Sequence, residues 1–532
     1  MRNLMFKLFL VVLAITGAFL WVRSDASVGM HANSLGLDDS GSWLAANSQN
    51  SRAFDVLEAA NVKLLRVRMP WNEVELSPGA YAWAYQTDTG YVDYEQLFKR
   101  LEKRGIRPVV VLGGGPVYLS HLYPQQPVSR EALLENWNNF VRAAVERFGK
   151  DVDQWQVGDG LNDPQAWGKV LFPLAEDAQA APDPQLYADM LTSAYRIIKS
   201  ADARDSLILG DLALGGDCGQ HALFFLQSLN DAGAWFAMDA VSLRLPTLQS
   251  APEEAVLDSC GFIPANPSGS ALSDPILAVS DFLAESGQKS LWLTNLAISP
   301  QASAARAAER ATLAEVVEAD YLARASAILL AHSGADKLFW SYQPQNTRPG
   351  LIGLHAFANL AQTLSAQNGA VNNRALDAGE FKVLRFRANG SLSILAWRAQ
   401  GGDEAQALVI PNVGGYDLTA YSVDAESLKA RNGIDLKIDA GGSTALMVSE
   451  RPVLIHGRPN GLKESASQLV SDQTAQARLG LQSKWSSWVQ AQKMRAADQV
   501  GSWVTKQQTS LLDILRNSFQ QWLRKSLGLA VM

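Results

Sequence analysis

Leu64-Leu-Arg-Val-Arg-Met69, Tyr94-Glu-Gln-Leu-Phe-Lys-Arg-Leu-Glu-Lys103 and Pro108-Val-Val-Val-Leu112 follow one another along the chain, and their reading decides the fold. The first and last are short apolar runs between polar segments, which predicts buried strands. The middle run sets Tyr94, Leu97, Phe98 and Leu101 three and four apart, the spacing of one helix face. Strand, helix and strand in that order predict two parallel strands joined by a crossover helix.

The same alternation extends from Ser27 to about residue 365. Further strands are expected at Val28–His31, Trp155–Val157, Leu207–Gly210, Ala240–Leu243, Leu291–Thr294 and Lys337–Tyr342, and helices at Arg130–Phe148, Leu186–Lys199 and Ala304–His332. Eight strands alternating with helices favour a closed (β/α)₈ TIM barrel over residues 27–370, of class α/β. An open doubly wound sheet would carry a glycine-rich phosphate fingerprint after its first strand, and none is present. Gly113-Gly-Gly115 follows the third strand instead, lacks the Lys-Ser/Thr of a phosphate loop, and reads as a tight turn. Beyond residue 370 the pattern changes to short alternating strands with Asn389-Gly390 between two of them, a strong hairpin signal. Residues 371–457 are therefore expected to form a C-terminal β-sandwich. Residues 458–532 read as a helical tail, in which Val500, Trp503, Val504, Leu511, Leu515, Phe519, Trp522 and Leu523 make one amphipathic stripe. Such a stripe packs on its own barrel, docks on a protein partner or lies in a membrane interface.

The 532 residues are 47% hydrophobic and 19% charged, enough for a large domain with an accessory one. A net charge of −7 with no basic cluster in the main body argues against nucleic acid as a partner. At the start, Arg2 and Lys7 precede an apolar run from Leu8 to Val22. Residues 1–26 thus read as a signal peptide or a membrane anchor, and the protein is expected to be exported. Cys218 and Cys260 fit no metal template, and no metal or cofactor is expected. Both fall in loops after neighbouring strands, on the carboxyl-end face of the barrel, and in an exported protein they are expected to form a disulfide.

The chemistry is concentrated in Trp155-Gln-Val-Gly-Asp-Gly-Leu-Asn-Asp-Pro164. With Leu65-Arg-Val-Arg-Met-Pro-Trp71-Asn-Glu-Val-Glu75, Pro78-Gly-Ala-Tyr-Ala-Trp83, Asp239-Ala-Val-Ser-Leu-Arg244 and Lys289-Ser-Leu-Trp-Leu-Thr-Asn295, it resembles the clan-A retaining glycoside hydrolases, and among them family 39. The resemblance covers about residues 27 to 457 and implies a barrel with an acid/base Glu after the fourth strand and a nucleophilic Glu at the end of the seventh. Those two positions read Gly160 and Asn295. Retaining hydrolysis needs two carboxyl groups about 5–5.5 Å apart. A glycine and a neutral carboxamide supply neither.

Three functions follow. One is a catalytically degenerate, exported barrel that binds a polysaccharide or a partner, with Arg68, Trp71, Glu73, Asn162, Arg244 and Trp340 as candidate binding residues. Another is an active hydrolase using relocated carboxylates, Asp159 and Asp211. The third is a structural subunit docking through its C-terminal helix. Trp155 and Trp292, in the middle of apolar strands, are expected to fill the barrel interior.

Overall fold

A computed structural model describes residues 34–460, apart from 40–41, 89, 122–125, 173–174, 176–178, 215–219, 254–271, 300–306, 343–350, 365–369, 372–379, 389, 400–403 and 429–431. The N-terminal segment, Cys218, Cys260 and the C-terminal stripe lie outside the described residues. No described helix is long and apolar enough to cross a membrane.

Eight parallel strands close into a barrel: β1 (Leu35–Asp38), β2 (Leu64–Pro70), β3 (Arg107–Gly113), β4 (Gln154–Val157), β5 (Ser206–Ala213), β6 (Ala240–Arg244), β7 (Ser290–Leu296) and β8 (Lys337–Ser341). Around them lie α1 (Ser51–Ala59), α2 (Tyr94–Lys103), α3 (Arg130–Phe148), α4 (Pro164–Leu171), α5 (Pro184–Ala201), α6 (Gln220–Asp231), α7 (Asp274–Glu285), α8 (Ala307–His332) and α9 (Leu351–Leu364). The expected barrel is present, with one correction: the first strand is Leu35–Asp38, whereas it was expected at Val28–His31. Leu35 and Leu37 face the helical layer while Asp38 faces the interior, a two-residue alternation too short and too polar at its end to stand out.

The helices follow from local chemistry. Ser129 caps α3 by accepting the Ala132 N–H at 3.3 Å, and Leu133, Trp137, Phe140, Val141, Ala144, Val145 and Phe148 form its buried stripe. Trp71 is buried beside that stripe, stacked on Phe140 at 5.4 Å with its ring N–H donated to Glu75 at 2.6 Å. Aromatic pairs of this kind add about 0.5–1.5 kcal/mol to the gain from burial alone.

Inside the barrel, Leu64, Val109, Ile208, Ala240, Trp292 and Phe339 form a small apolar plug at the amino-terminal end of the strands. Trp292 is where it was expected; Trp155 is not. The register pairs Trp155 with Val110 and Leu207, outward-facing neighbours, so its ring joins the layer under the helices and its N–H reaches Asp205 at 3.3 Å. The inward positions of β4 are Gln154 and Gln156. Because side chains alternate with a period of two, a one-residue misjudgement of facing reverses every assignment on a strand.

The second layered unit comprises β9 (Ala370–Val371), β10 (Phe381–Ala388), β11 (Ser391–Arg398), β12 (Gln406–Ile410), β13 (Tyr416–Ser422), β14 (Ile434–Leu436), β15 (Thr444–Val448) and β16 (Val453–Pro459). A six-stranded sheet, ordered β9-β10-β11-β16-β13-β14, packs on the β12–β15 pair through Ile394, Leu408, Ile410, Leu418, Val448 and Ile455. It is the expected C-terminal β-sandwich, and its β10–β11 hairpin turns where Asn389-Gly390 predicts, with Ala388 opposite Ser391. The sandwich is fastened to the barrel by polar side chains. Glu253, in the segment after β6, accepts from Arg324 of α8 and from the Trp397 ring N–H at 2.6 Å. Arg451 spans Asp320 of α8 and Asp424 at 3.1 and 2.9 Å, and Asn359 of α9 donates to the carbonyls of Val423 and Ala425.

Candidate active site

At the carboxyl end of the strands the barrel interior is filled by interlocked charges. Arg66 points inward from β2 and is fully buried. Its Nε donates to Gln156 Oε1 at 3.0 Å, Nη1 to Asp38 Oδ2 at 2.7 Å and Nη2 to Asp211 Oδ2 at 3.1 Å, with Asp159 Oδ1 3.9 Å from Nη2. Burial opposes its charge, but Asp38, Asp211 and Asp159 outweigh that and raise its pKa further above the ordinary guanidinium range. Two residues on, Arg68 points the same way, and its Nε donates to Asp159 Oδ2 at 2.7 Å.

Asp159 and Asp211 are the two carboxylates with which a relocated hydrolase could work, and their surroundings differ. Burial acts to raise the Asp159 carboxyl, yet Arg68, Arg66 and Arg244 overcome it and hold the group down at about 2. Asp211 follows a cis peptide bond from Gly210 and has no exposed surface. Burial pushes its carboxyl up, against the pull of Arg66. Thr294 Oγ1 contacts both Asp211 Oδ1 and the Leu243 carbonyl, the latter at 3.1 Å. One hydroxyl proton cannot serve two acceptors at full strength, so Asp211 and the Leu243 carbonyl compete for it.

Gly160 has φ +75°, in the left-handed region that favours glycine, and its N–H donates to the Asp211 carbonyl at 2.7 Å. A Cβ placed there would stand 2.8 Å from Arg244 Nη2 and 3.2 Å from Nη1. The guanidinium thus occupies the space into which a side chain at position 160 would project. Asn295, at the end of β7, also has a positive φ, 55°, which asparagine tolerates better than most residues.

The remaining candidates separate into two groups. Arg68 and Arg244 meet at Asp159, with Arg244 Nη1 3.7 Å from its Oδ1. Asn162 lies beside them, but its side chain is committed to the backbone of β5, accepting from Ala213 N and donating to Ala213 O. Trp71 and Trp340 are buried away from the mouth; Trp340 stacks on Phe357 of α9, so neither ring offers a face to a ligand. Glu73 is exposed on the short helix after β2. Trp71 and Trp340 are candidate sugar platforms in the sequence because both fall on or near strand ends, a position that does not distinguish inward from outward facing.

Asp38, Arg66, Gln156 and Thr294 were missed. Arg66 and Arg68 carried a readable signal, since two arginines two apart in an apolar strand share the same face. Asp38 was hidden by the misplaced first strand. A cavity of about 270 Å³ opens beside the network, bordered by Gly113, Trp137, Asp159, Asp163, Lys169 and Arg244. Among the described residues no cluster of His, Cys, Asp and Glu could hold a metal ion.

No protein-family model matches the sequence, and no curated protein matches it. Solved structures do share its architecture. A family 39 glycoside hydrolase from the gut symbiont Bacteroides cellulosilyticus WH2 is 20% identical, over 80% of this chain and 81% of that one, with a TM-score of 0.57. A family 30 subfamily 8 xylanase from Clostridium acetobutylicum is 12% identical over 82% and 98%, with a TM-score of 0.51. A conserved exported protein from Bacteroides fragilis is 11% identical over 81% and 98%, with a TM-score of 0.50. The chain has the fold of the clan-A glycoside hydrolases of families 39 and 30, a parallel eight-stranded barrel followed by a β-sandwich.

Proposed function

We propose that the protein is an exported glycoside-hydrolase-like barrel that binds a carbohydrate and does not cleave it. The observation that carries this reading is that Gly160, in a left-handed conformation, stands where an acid/base side chain is needed, with the Arg244 guanidinium lying over it. A guanidinium stays protonated at any physiological pH, so it cannot exchange a proton with a leaving group. Asn295 offers a carboxamide where retaining chemistry needs an anionic nucleophile. Neither surrogate carboxylate answers the need. Asp159, held near 2, carries no proton to donate at neutral pH, and Asp211 is sealed beneath Arg66 and Thr294. Export is inferred from the basic start and apolar run of residues 1–26, and an exported protein shares the fold.

The test is incubation of the purified full-length chain with aryl glycosides and polysaccharides, with products followed by mass spectrometry and retention followed by affinity electrophoresis. Retention without new reducing ends is expected. Bond cleavage that disappears in Asp159→Asn or Asp211→Asn would establish the hydrolase instead.

A further inference from the structure

The smaller sheet of the sandwich ends in an open edge. β12 pairs with β15 along the whole of Gln406–Ile410 without a bulge, and among the described residues it has no second ladder partner. Alternate residues on its far side therefore direct their N–H and C=O groups away from the sheet. Open edges are ordinarily blunted by a charge, a proline or a bulge, and Gln406-Ala-Leu-Val-Ile410 carries none of these. Its inward side chains Leu408 and Ile410 are buried in the sandwich core. On the outer face Val409 is 58% exposed and Met447 of β15 60%, with Ala407 opposite Met447 and Ala445 opposite Val409 in register. All four outer positions are apolar and exposed.

The two ends of this strand differ in charge. Glu404 stands exposed just before it, with its carbonyl accepting from Arg398 Nη1 at 3.0 Å. Just after it, the Pro411 carbonyl accepts from Arg385 Nη2 at 2.6 Å, and Arg387 lies exposed two residues further along the same face of β10. Burial, and then the charge of Arg387, lower the Arg385 pKa, so a carboxylate arriving at that end relieves two crowded cations. Antiparallel pairing is symmetric about a twofold axis, which lets an uncharged edge fit a second copy of itself. With the axis at Leu408, Ala407 lies opposite Val409 of the second copy, and Glu404 comes to the Pro411 end of that copy, where the arginines stand. The match is made twice, once at each end. Parallel pairing sets Glu404 against Glu404 and loses it. Two chains of net charge −7 repel in general, so a surface whose own charges are complementary is a favoured place for them to meet.

We propose that β12 pairs antiparallel with β12 of a second copy, joining two sandwiches through a four-stranded sheet ordered β15-β12-β12-β15. Val409 of each copy then packs beside Ala407 of the other, and Glu404 of each pairs with Arg387 of the other. None of the residues at the barrel mouth takes part, so this interface stands independently of the carbohydrate reading. A contact this small belongs to the reversible class that buries about 1,200 Å² or less, and its dissociation constant is expected to be roughly micromolar.

The test is sedimentation velocity of the full-length protein in a non-ionic detergent, at concentrations reaching about 100 μM, where a micromolar contact is largely formed. A reversible dimer is expected. Ala407→Lys together with Val409→Lys sets like charges directly opposite across the axis and should leave a monomer. The thermal unfolding midpoint of that variant should not move, because both positions are exposed. Glu404→Arg alone and Arg387→Glu alone should each weaken association roughly fivefold, and the two together in one chain should restore it. A protein that stays monomeric throughout overturns the proposal and leaves the edge to a chain of another kind. A dimer that survives the two lysines also overturns it, since the copies then meet elsewhere. Failure of the paired reversal to rescue association overturns the antiparallel arrangement.

Discussion

Arg66 shows how much a single residue can hold together. It is a buried cation whose partners, Asp38 and Asp211, are also buried, so removing it leaves Asp38 with only Arg68 at 3.9 Å and Asp211 without its ion pair in a low-dielectric interior. Arg66→Met is expected to cost about 3–5 kcal/mol, read as a lower midpoint in urea unfolding. Arg68→Gln leaves Asp159 at 24% exposure, where water takes over part of the solvation, and should cost clearly less. At this scale the sequence was readable in part. Gly160 and Asn295 stood out by their position in a motif, and Arg68 and Arg244 by their place at strand ends. What could not be read was the contact between them. That Arg244, from β6, lies over Gly160, from the segment after β4, depends on the curvature of the whole sheet, and neither residue's local sequence carries it.

Among the elements, α8 joins the barrel to the sandwich and carries unusual carboxylates. Burial, with Glu315 one turn away, pushes the Glu318 carboxyl up to about 7. Its unfolded value is near 4.5, so between those two values the fold takes up a proton that the unfolded chain releases. Stability from this group is therefore full below about 4.5 and is lost as pH rises through about 7. Glu318→Gln, which cannot ionise, is expected to raise the melting temperature at pH 8 relative to the unaltered protein and to change it little at pH 4.5. Thermal unfolding followed by circular dichroism at the two pH values checks this. The helices and strands themselves were largely legible. Long stripes such as that of α3, with a serine cap and seven buried positions, follow from periodicity alone. The failures came from short strands: β1 has four residues, and β4 alternates between glutamines and apolar residues, so its apolar Trp155 was placed inside when the glutamines are. A barrel lined by polar side chains near its mouth inverts the usual inference from hydrophobicity to interior.

At the scale of the whole molecule, barrel and sandwich meet through Glu253, Arg324, Trp397, Arg451, Asp320 and Asn359. Such a polar seam couples two layers as long as its charges stay paired, and breaking one member exposes the rest to an uncompensated burial cost. The barrel and sandwich are expected to unfold in one calorimetric transition, and Glu253→Ala, which strands Arg324, should lower its midpoint or split it in two. The fold class and the order of barrel and sandwich were legible because alternation and turn chemistry repeat many times along the chain, whereas the seam is made once by residues far apart. The packing of Arg244 over Gly160 also limits which neighbouring sequences can be reached. A carboxylate placed at position 160 by one substitution would adopt a strained backbone and push the Arg244 guanidinium aside, while removing Arg244 first would leave Asp159 and Asp163 facing each other without it. A return to a two-carboxylate mouth therefore needs changes at both position 160 and position 295, and neither alone supplies the pair. For a chain altered one residue at a time, the present arrangement is a ratchet.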